Sequence, residues 1–330
     1  MNTAEAQEQI TAIEDTVART FVGPSRLIRL LVIGLLARLN VLIEDIPGVG
    51  KTTLARALAQ ASGLEFGRIQ CSPDLLPGDV TGMTIWSQEA GRFVYRPGAI
   101  MHQFVLADEL NRAATRTQAA LLEAMQEGRV TVDDRVHPLP DPFFLVATEN
   151  PLRFAGTFHL PEAQLDRFGL AVSIGYPSVA DELRILAVAD AVAEQPAEAD
   201  LPAGLGVPPV CSPATIRALR CACTGLHVGE TVQNYIIAVA RATRGHKLIR
   251  LGVSPRGSYH LLAAARGAAL AAGRDYVVPE DVRELCSTVL AHRIVVSAEA
   301  RVEQRSNAEV LEEAISRVPL PTGLHSREKQ

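Results

Sequence analysis

The 330-residue sequence predicts an α/β domain built on a parallel sheet, followed by a small domain made of helices. Between residues 25 and 177, four short apolar runs alternate with helical stretches. Continuous apolar runs bounded by turn residues are typical of parallel strands that are buried on both faces. After Tyr176-Pro177 the sequence changes to segments rich in Ala and Leu. We therefore expect an αβα domain at 1–177 and a helical domain at 178–330.

The individual elements follow from periodicity. An amphipathic helix over 4–20 is indicated by four apolar residues at helical spacing, Ile10, Ile13, Val17 and Phe21. The strand candidates are residues 41–43, 104–107, 143–147 and 170–174. Intervening helices would supply the crossovers between parallel strands. In the second domain we expect helices at 178–192, 258–272 and 279–291, a loop at 195–213 and a loose tail over the last dozen residues.

Two pairs of short β-prone runs are predicted to form hairpins, at about 80–98 and 129–138. The first pair surrounds Glu89-Ala90-Gly91, and the second flanks Asp133-Asp134, which is a weaker turn signal. Isolated strand pairs are also common as decoration at the edge of a domain. The hairpins alone therefore assign no function.

Composition and charge argue against several function classes. The chain has 32 basic and 37 acidic residues, whereas nucleic-acid and membrane surfaces attract clustered Lys and Arg. The most apolar stretch, 27–43, is interrupted by Arg29 and Arg38, so no membrane span is predicted. The N-terminus does not have the pattern of a signal peptide. The five cysteines lack paired zinc spacing, and we interpret Cys221 and Cys223 as ordinary thiols rather than a metal site. We expect a cytoplasmic protein.

The strongest local signal is a phosphate-binding loop at 45–52, between a strand candidate and a helical segment. It matches G-x-x-x-x-G-K-[ST] except that Asp45, which tolerates turn geometry, replaces the first Gly. In such a loop Lys51 would reach the β- and γ-phosphates, and the Thr52 hydroxyl would bind Mg²⁺. The predicted nucleotide ligands are Pro47, Gly48, Val49, Gly50, Lys51, Thr52 and Thr53, with ATP and Mg²⁺ as cofactors. The alternative is a Gly-rich turn with an incidental Gly-Lys-Thr.

Polar residues follow two of the other strand candidates. Asp108 and Glu109 end one apolar run, where a P-loop enzyme holds its metal through a carboxylate. We predict that Asp108 holds Mg²⁺ through water and that Glu109 acts as general base toward the attacking water. Asn150 ends the next run and could orient that water through its amide. Taken alone, Asp108 and Glu109 could simply be a solvated strand end. Asn150 taken alone could simply be the residue that ends a strand. The gap from Lys51 to Asp108 leaves room for a further strand and helix.

Five segments taken together resemble the MoxR family of AAA+ ATPases. They are PGVGKT at 47–52, ADELNR at 107–112, LEAMQE at 122–127, ATENP at 147–151 and LPEAQLDRF at 160–168. The resemblance runs from about Val22 to the end of the second domain. It implies a nucleotide-binding αβα domain, a helical lid, and a ring, commonly of six copies, with ATP at the subunit boundary. Through the resemblance, Arg167 is similar to the arginine finger, Asn150 to sensor 1 and Arg256, in Ser254-Pro255-Arg256, to sensor 2.

The resemblance also assigns both predicted hairpins to known features of the family. They correspond to the helix 2 insert and the hairpin before sensor 1, which face the pore or the substrate. Two departures stand out, because Glu149 replaces a Gln and Asp134 a Gly that relatives carry. The first alters local hydrogen bonding, and the second puts the tight turn in doubt.

Three functions are compatible with these signals. The favoured hypothesis is an ATP-driven remodelling chaperone, which the resemblance pairs with a separate von Willebrand factor A domain protein and a client enzyme complex. A nucleic-acid motor is the second, although the acidic balance argues against it. The third is a nucleotide-gated scaffold with little turnover. Whether Arg256 serves its own nucleotide or a neighbour's stays open.

Overall fold

The computed structural model describes residues 1–150, 158, 160–193 and 208–321, with backbone only over 187–193. The helices, in chain order, are α1 (Thr3–Thr20), α2 (Ser25–Ala37), α3 (Lys51–Ala61), α4 (Pro77–Thr81), α5 (Thr115–Glu127), α6 (Glu162–Leu165), α7 (Val179–Ala193), α8 (Pro213–Thr224), α9 (Glu230–Arg244), α10 (Pro255–Ala271), α11 (Pro279–Leu290), α12 (Ala298–Val302) and α13 (Asn307–Ser316). The strands are β1 (Val41–Glu44), β2 (Phe66–Gln70), β3 (Gly82–Ser87), β4 (Arg92–Pro97), β5 (Phe104–Asp108), β6 (Arg129–Val132), β7 (Arg135–Pro138), β8 (Phe144–Glu149), β9 (Leu170–Val172), β10 (Ile249–Leu251) and β11 (Val295–Val296).

The central sheet has five parallel strands in the order β2-β5-β8-β1-β9. All four strand candidates are confirmed, and β2 fills the gap left between the phosphate loop and the acidic pair. β8 ends at Glu149, two residues later than predicted, because Thr148 and Glu149 continue the ladder beside β1. The carboxyl ends of β1, β5 and β8 therefore meet at one edge of the sheet.

Helices cover both faces of this sheet. On one face the apolar side chains of β1, β5 and β8 join α1, α2 and α3 in a core that continues into α8, α9, α10 and α11. The opposite face packs against α5 and the segment around Val80 and Ile100. The N-terminal helix is confirmed, since α1 buries Ile10, Ile13 and Val17 and begins with an Asn2–Glu5 capping box.

The second half of the chain is a helical lid that packs on the sheet domain through α2 and α10. The predicted helices appear as α7, α10 and α11, and the lid also contains one short antiparallel pair, β10–β11. The domain division at residue 177 falls between β9 and α7 and stays a prediction. The predicted loop at 195–213 and the C-terminal tail lie largely outside the described residues.

Two hairpins project from the sheet domain, β3–β4 and β6–β7. Asp133 and Asp134 both adopt left-handed backbone conformations, with φ of 48° and 61°, and close the β6–β7 turn. The doubt about this turn was therefore wrong, because aspartate is among the few residues that tolerate this region. The rings of Tyr95 and His137 stack at 3.7 Å between centroids, so the two hairpins contact each other.

In the part of the chain that the structure describes, no helix is both long enough and apolar enough to cross a bilayer. The five cysteines are free thiols, with Cys221 exposed and Cys223 buried on α8. Among the described residues, no group of three or more His, Cys, Asp or Glu side chains is arranged to hold a metal.

Candidate nucleotide-binding site

The phosphate loop joins the end of β1 to the start of α3. Gly48 and Gly50 lie in the left-handed region, with φ of 86° and 88°, which glycine adopts without steric cost. A Cβ atom at Gly48 would meet no atom within 4 Å, so the backbone there borders open space. Gly50 precedes α3 and offers no side-chain cap. The first N–H groups of α3 are thus left for an external acceptor, which is the arrangement that binds phosphate.

Lys51 is held by the loop itself. Its ammonium group donates to the carbonyl oxygens of Asp45 at 2.6 Å and Ile46 at 3.0 Å. Partial burial lowers the pKa of Lys51, and the nearby carboxylates of Asp45, Asp108 and Glu109 oppose that shift. The ammonium therefore already lies in the pocket, among acids that favour its charged form.

Asp45 has a larger role than the turn tolerance inferred from the sequence. Its carboxylate accepts hydrogen bonds from the backbone N–H groups of Ile46, Ile174 and Gly175, at 2.8, 2.6 and 2.7 Å. The Ser173 hydroxyl donates a fourth, at 3.0 Å. Burial alone would raise the pKa of Asp45, but these hydrogen bonds together lower it. A glycine could not make these contacts, so Asp45 fastens the phosphate loop to the end of β9.

Asp108 ends β5 and faces the phosphate loop. The Thr148 hydroxyl donates to its Oδ1 at 2.7 Å and accepts the backbone N–H of Glu109 at 2.8 Å. Arg68, on β2, donates to its Oδ2 at 2.6 Å. Both oxygens of Asp108 thus have a donor from the same chain.

Glu109 adopts a left-handed backbone conformation, with φ of 56° and ψ of 50°. A non-glycine residue held in this region stores about 1 kcal/mol or more of strain, and such residues cluster at functional sites. Its carboxylate accepts from Arg112 at 2.8 Å and from the Gln70 amide at 3.1 Å. The Glu109 side chain is therefore tied to two exposed residues at the rim of the pocket.

These residues surround one pocket of about 390 Å³ at the carboxyl edge of the sheet. Asn150 follows β8, is buried, and its carbonyl oxygen accepts from the Asn111 amide at 2.9 Å. Of the predicted site residues, the pocket brings together Pro47, Gly48, Gly50, Lys51, Thr52, Thr53, Asp108, Glu109 and Asn150. Val49 belongs to the loop but does not line the pocket.

Arg167 and Arg256 lie outside this pocket, near one another at a corner where the lid meets the sheet domain. Asp166 connects them, because it precedes Arg167 in the chain and its carboxylate lies 3.6 Å from the Arg256 guanidinium. The Ser254 hydroxyl also donates to both Asp166 oxygens at 3.0 Å. We call Asp166, Arg167, Ser254, Arg256 and Arg293 the lid corner.

Arg293 is the buried member of the lid corner, with a fully buried side chain. It donates to the Asp166 carboxylate at 2.7 Å and to the Asp166 carbonyl at 2.9 Å, and also bonds the Phe168 carbonyl. Burial and the positive charges of Arg293 and Arg256 lower the pKa of His260 to about 3. His260 is therefore neutral and accepts from Arg293 through Nδ1 at 2.6 Å.

The donor set at the pocket suits magnesium. Mg²⁺ is held by one or two carboxylates together with substrate phosphates and waters, and it does not need a cage of protein ligands. The Thr52 hydroxyl and the Asp108 carboxylate both line the pocket beside Lys51. These are the two oxygen donors that the sequence predicted for the metal.

Several site residues were missed by sequence reasoning. Arg68 and Gln70 carry no local signal, since they are two polar residues on the exposed side of a strand that was not itself located. Thr148 lies within the quoted ATENP segment, but its link to Asp108 depends on how β5 and β8 pair. Arg293 is more than 120 residues from Asp166 in sequence, so only the fold joins them.

The fold and this pocket define the class of the protein, a P-loop nucleotide-binding protein with AAA+ architecture. The sequence profile of the ATPase family associated with various cellular activities (AAA) matches residues 40–170, and that of the AAA lid domain matches 241–314. The crystal structure of a Cytophaga hutchinsonii protein, assigned as an ATPase, is 32% identical with a TM-score of 0.87, covering 97% of both chains.

Similar proteins narrow the class. Chaperone MoxR1 of Mycobacterium tuberculosis is 36% identical over 314 residues, 92% of this chain and 80% of that protein. Protein MoxR of Paracoccus denitrificans is 33% identical, over 91% of this chain and 93% of that protein. Bacillus subtilis YeaC, itself uncharacterized, is 43% identical over 92% of both chains. The chain belongs to the MoxR family of AAA+ ATPases.

Proposed function

We propose that this protein hydrolyses ATP to ADP and phosphate. The observation that supports this most is the convergence of Lys51, Thr52, Asp108, Glu109 and Asn150 on one pocket at the carboxyl edge of the sheet. The free N–H groups of the phosphate loop and the Lys51 ammonium would bind the phosphates. When bound, Mg²⁺ would neutralise phosphate charge, held on the protein side by Thr52 and Asp108.

Glu109 is the proposed general base. Its carboxylate is placed at the end of β5 by a strained backbone and by the Thr148 hydroxyl, which fixes the Glu109 N–H. Arg112 and Gln70 both donate to its Oε2, and Glu109 lines the pocket, so its Oε1 is the oxygen proposed to take the proton from water. Asn150 lies on the neighbouring strand end, where its amide can orient the same water.

The proposed active form is a ring, with six copies as the favoured number. Among the described residues, no carboxylate forms an ion pair with Arg167, whereas Arg256 and Arg293 both pair with Asp166. Arg256 contacts Asp166, next to Arg167, and does not line its own pocket. We therefore assign both arginines to the nucleotide of a neighbouring subunit, where a guanidinium would stabilise charge at the γ-phosphate.

The finer proposal is a remodelling chaperone that acts on a partner protein in the cytoplasm. Two relatives are named chaperone or MoxR, and the hairpins offer a contact surface. Trp86 and Phe93 pack edge to face at 5.2 Å on the β3–β4 hairpin while remaining 55% and 66% exposed. Exposed aromatic pairs mark protein contact sites. The expected partners are a separate von Willebrand factor A domain protein and its client enzyme complex.

Steady-state ATPase assays on Glu109→Gln test the catalytic proposal. The amide cannot accept a proton, so kcat should fall by about 10²- to 10⁴-fold while ATP binding is retained. Glu8→Gln, an exposed change on α1, serves as a matched control and should be neutral. Equal rates for wild type and Glu109→Gln would refute the assignment of the base.

The chaperone proposal has its own test. In the Glu109→Gln background with ATP, the purified von Willebrand factor A domain partner should bind, and Trp86→Ser with Phe93→Ser should abolish that binding. ATP affinity should be unchanged, since neither aromatic lines the nucleotide pocket. Binding that survives the double change would separate the hairpins from the partner site.

A further inference from the structure

We propose that the Arg68 guanidinium occupies the Asp108 oxygen that faces the metal position. Mg²⁺ must displace Arg68 from this oxygen, so Arg68 sets the Mg²⁺ concentration that the site requires. This inference rests on the proposed ATP site and adds a residue that controls how the metal enters it.

The two oxygens of Asp108 have different surroundings. Oδ1 accepts from the Thr148 hydroxyl at 2.7 Å, and that hydroxyl also accepts the Glu109 N–H at 2.8 Å, so this side belongs to the buried framework of the sheet. Oδ2 accepts from Arg68 at 2.6 Å, and Arg68 lines the nucleotide pocket together with Thr52. The oxygen that a ligand in the pocket can reach is therefore the one that Arg68 holds.

Charge makes the two occupants mutually exclusive. Asp108 and Glu109 are adjacent acids, and each is paired with one arginine, Arg68 at 2.6 Å and Arg112 at 2.8 Å. These two ion pairs neutralise the negative charges of Asp108 and Glu109 when no nucleotide is bound. A divalent cation beside Asp108 would repel a guanidinium on the same oxygen, since like charges a few ångströms apart destabilise each other.

Arg68 can leave without a change in the backbone. Its side chain is 45% exposed and extends from β2, the edge strand of the sheet. The side-chain amide oxygen Oε1 of Gln70 accepts from the same guanidinium nitrogen at 2.5 Å, so Gln70 can retain Arg68 at the rim after Arg68 leaves Asp108. Asp108 is buried but the Arg68 end of the pair is open to solvent, which weakens the ion pair enough for a metal to compete with it.

The alternative role for Arg68 is a direct nucleotide ligand, because guanidinium groups also bind phosphate. The two roles predict opposite effects. If Arg68 occupies the metal position, removing it favours Mg²⁺. If Arg68 binds phosphate, removing it weakens ATP binding at every Mg²⁺ concentration.

The experiment compares wild type with Arg68→Met, which keeps the length of the apolar stem and removes the charge. Binding of a fluorescent non-hydrolysable ATP analogue is titrated with Mg²⁺ at constant ionic strength. We expect Arg68→Met to need about two- to fivefold less free Mg²⁺ for half-maximal binding, the range for an ion pair that solvent reaches from one side. Mn²⁺ binding to the analogue-loaded protein, followed by electron paramagnetic resonance, should shift by the same factor.

Two variants sharpen the comparison. Arg112→Met removes the matched arginine, which pairs with Glu109 and not with Asp108, and should leave the Mg²⁺ requirement unchanged. Arg68→Lys keeps the charge and should stay within twofold of wild type.

The outcomes separate the proposals. An unchanged or raised Mg²⁺ requirement in Arg68→Met would overturn the displacement idea. A loss of tenfold or more in analogue affinity at saturating Mg²⁺ would overturn it in favour of a phosphate contact. Failure of the wild-type protein to bind the analogue with Mg²⁺ would instead refute the proposed ATP site.

Discussion

The nucleotide pocket and the lid corner use arginine in different ways. In the pocket, Arg68 and Arg112 are paired with Asp108 and Glu109 of the same chain. At the lid corner, Arg293 is buried against Asp166, whereas Arg167, which follows Asp166 in the chain, has no acidic partner among the described residues. The acids of the pocket are therefore paired within one chain, whereas the half-buried Arg167 at the corner has no ion pair with a described residue. The difference supports the proposal that one half of the site is complete in a subunit and that the other half serves a neighbouring subunit.

The two regions also depend on the fold differently. The pocket is built from strand ends that lie side by side in one sheet, so its geometry depends only on the pairing of those strands. The lid corner joins the segment before β9 to α10 and to the turn after α11. Its geometry requires that the lid packs correctly on the sheet domain. Changes at the corner should therefore report on assembly and on lid packing, and changes in the pocket on chemistry.

The largest effect is expected at Arg167. Arg167→Ala should lower kcat by about 10³-fold and leave ATP binding intact, because a guanidinium supplied by a neighbour acts on transition-state charge. Wild-type specific activity should rise with protein concentration, and the variant should lose that rise.

Mixing inactive variants tests which subunit each arginine serves. Arg167→Ala mixed with Glu109→Gln should regain activity, because one protomer supplies the base and the other the arginine. Arg167→Ala mixed with Arg256→Ala should stay inactive, since each is a defective donor to its neighbour. Recovery in the second mixture would mean that Arg256 serves its own nucleotide, and a rate independent of concentration would refute the trans arginine.

A smaller effect is expected from the buried side of the corner. Arg293→Met should destabilise the protein by about 3 kcal/mol, because it leaves Asp166 and the Phe168 carbonyl without their buried donor. Urea denaturation measures the change, with the exposed Arg301→Met as control. A loss below about 1 kcal/mol would show that the lid does not depend on this pair.

The last predicted effect is a pH-dependent change in stability at Glu149, which ends β8 next to Asn150. Glu149 pairs in register with Glu44, and burial together with the charge of Glu44 raises the pKa of Glu149 to about 7. A raised carboxyl pKa means that the charged form opposes folding, so the wild type loses stability as pH rises from about 4.5 to about 7. Glu149→Gln should therefore be more stable above pH 7, by at most about 3 kcal/mol, and equal to wild type near pH 4.

Chemical denaturation at pH 5 and pH 8.5 measures this difference. Glu44→Gln is the matched control and should relieve part of the same penalty, because it removes the neighbouring charge. A Glu149→Gln protein that is less stable than wild type at pH 8.5 would contradict the cause assigned to the raised pKa.

Much of the nucleotide pocket could be predicted from the chain because its residues lie in short segments with fixed local roles. Gly48, Gly50 and Lys51 work through the turn and helix start that they themselves form. Asp108 and Asn150 end apolar strands, and parallel strands bring their carboxyl ends to one edge. Asp45 was underestimated, because its partners at the end of β9 lie about 130 residues away.

By itself, the sequence determined the parallel sheet, the helical lid, the phosphate loop and the polar strand ends, because apolar periodicity and turn chemistry act over a few residues. Only the tertiary structure decided that Arg68 and Thr148 bond to Asp108, and that Asp166 joins Arg293 to the Arg256 motif. Those contacts depend on strand order and on lid packing, which bring together residues separated by 40 to more than 120 positions. Side-chain pairing at such separations follows from the packed chain and leaves no local pattern.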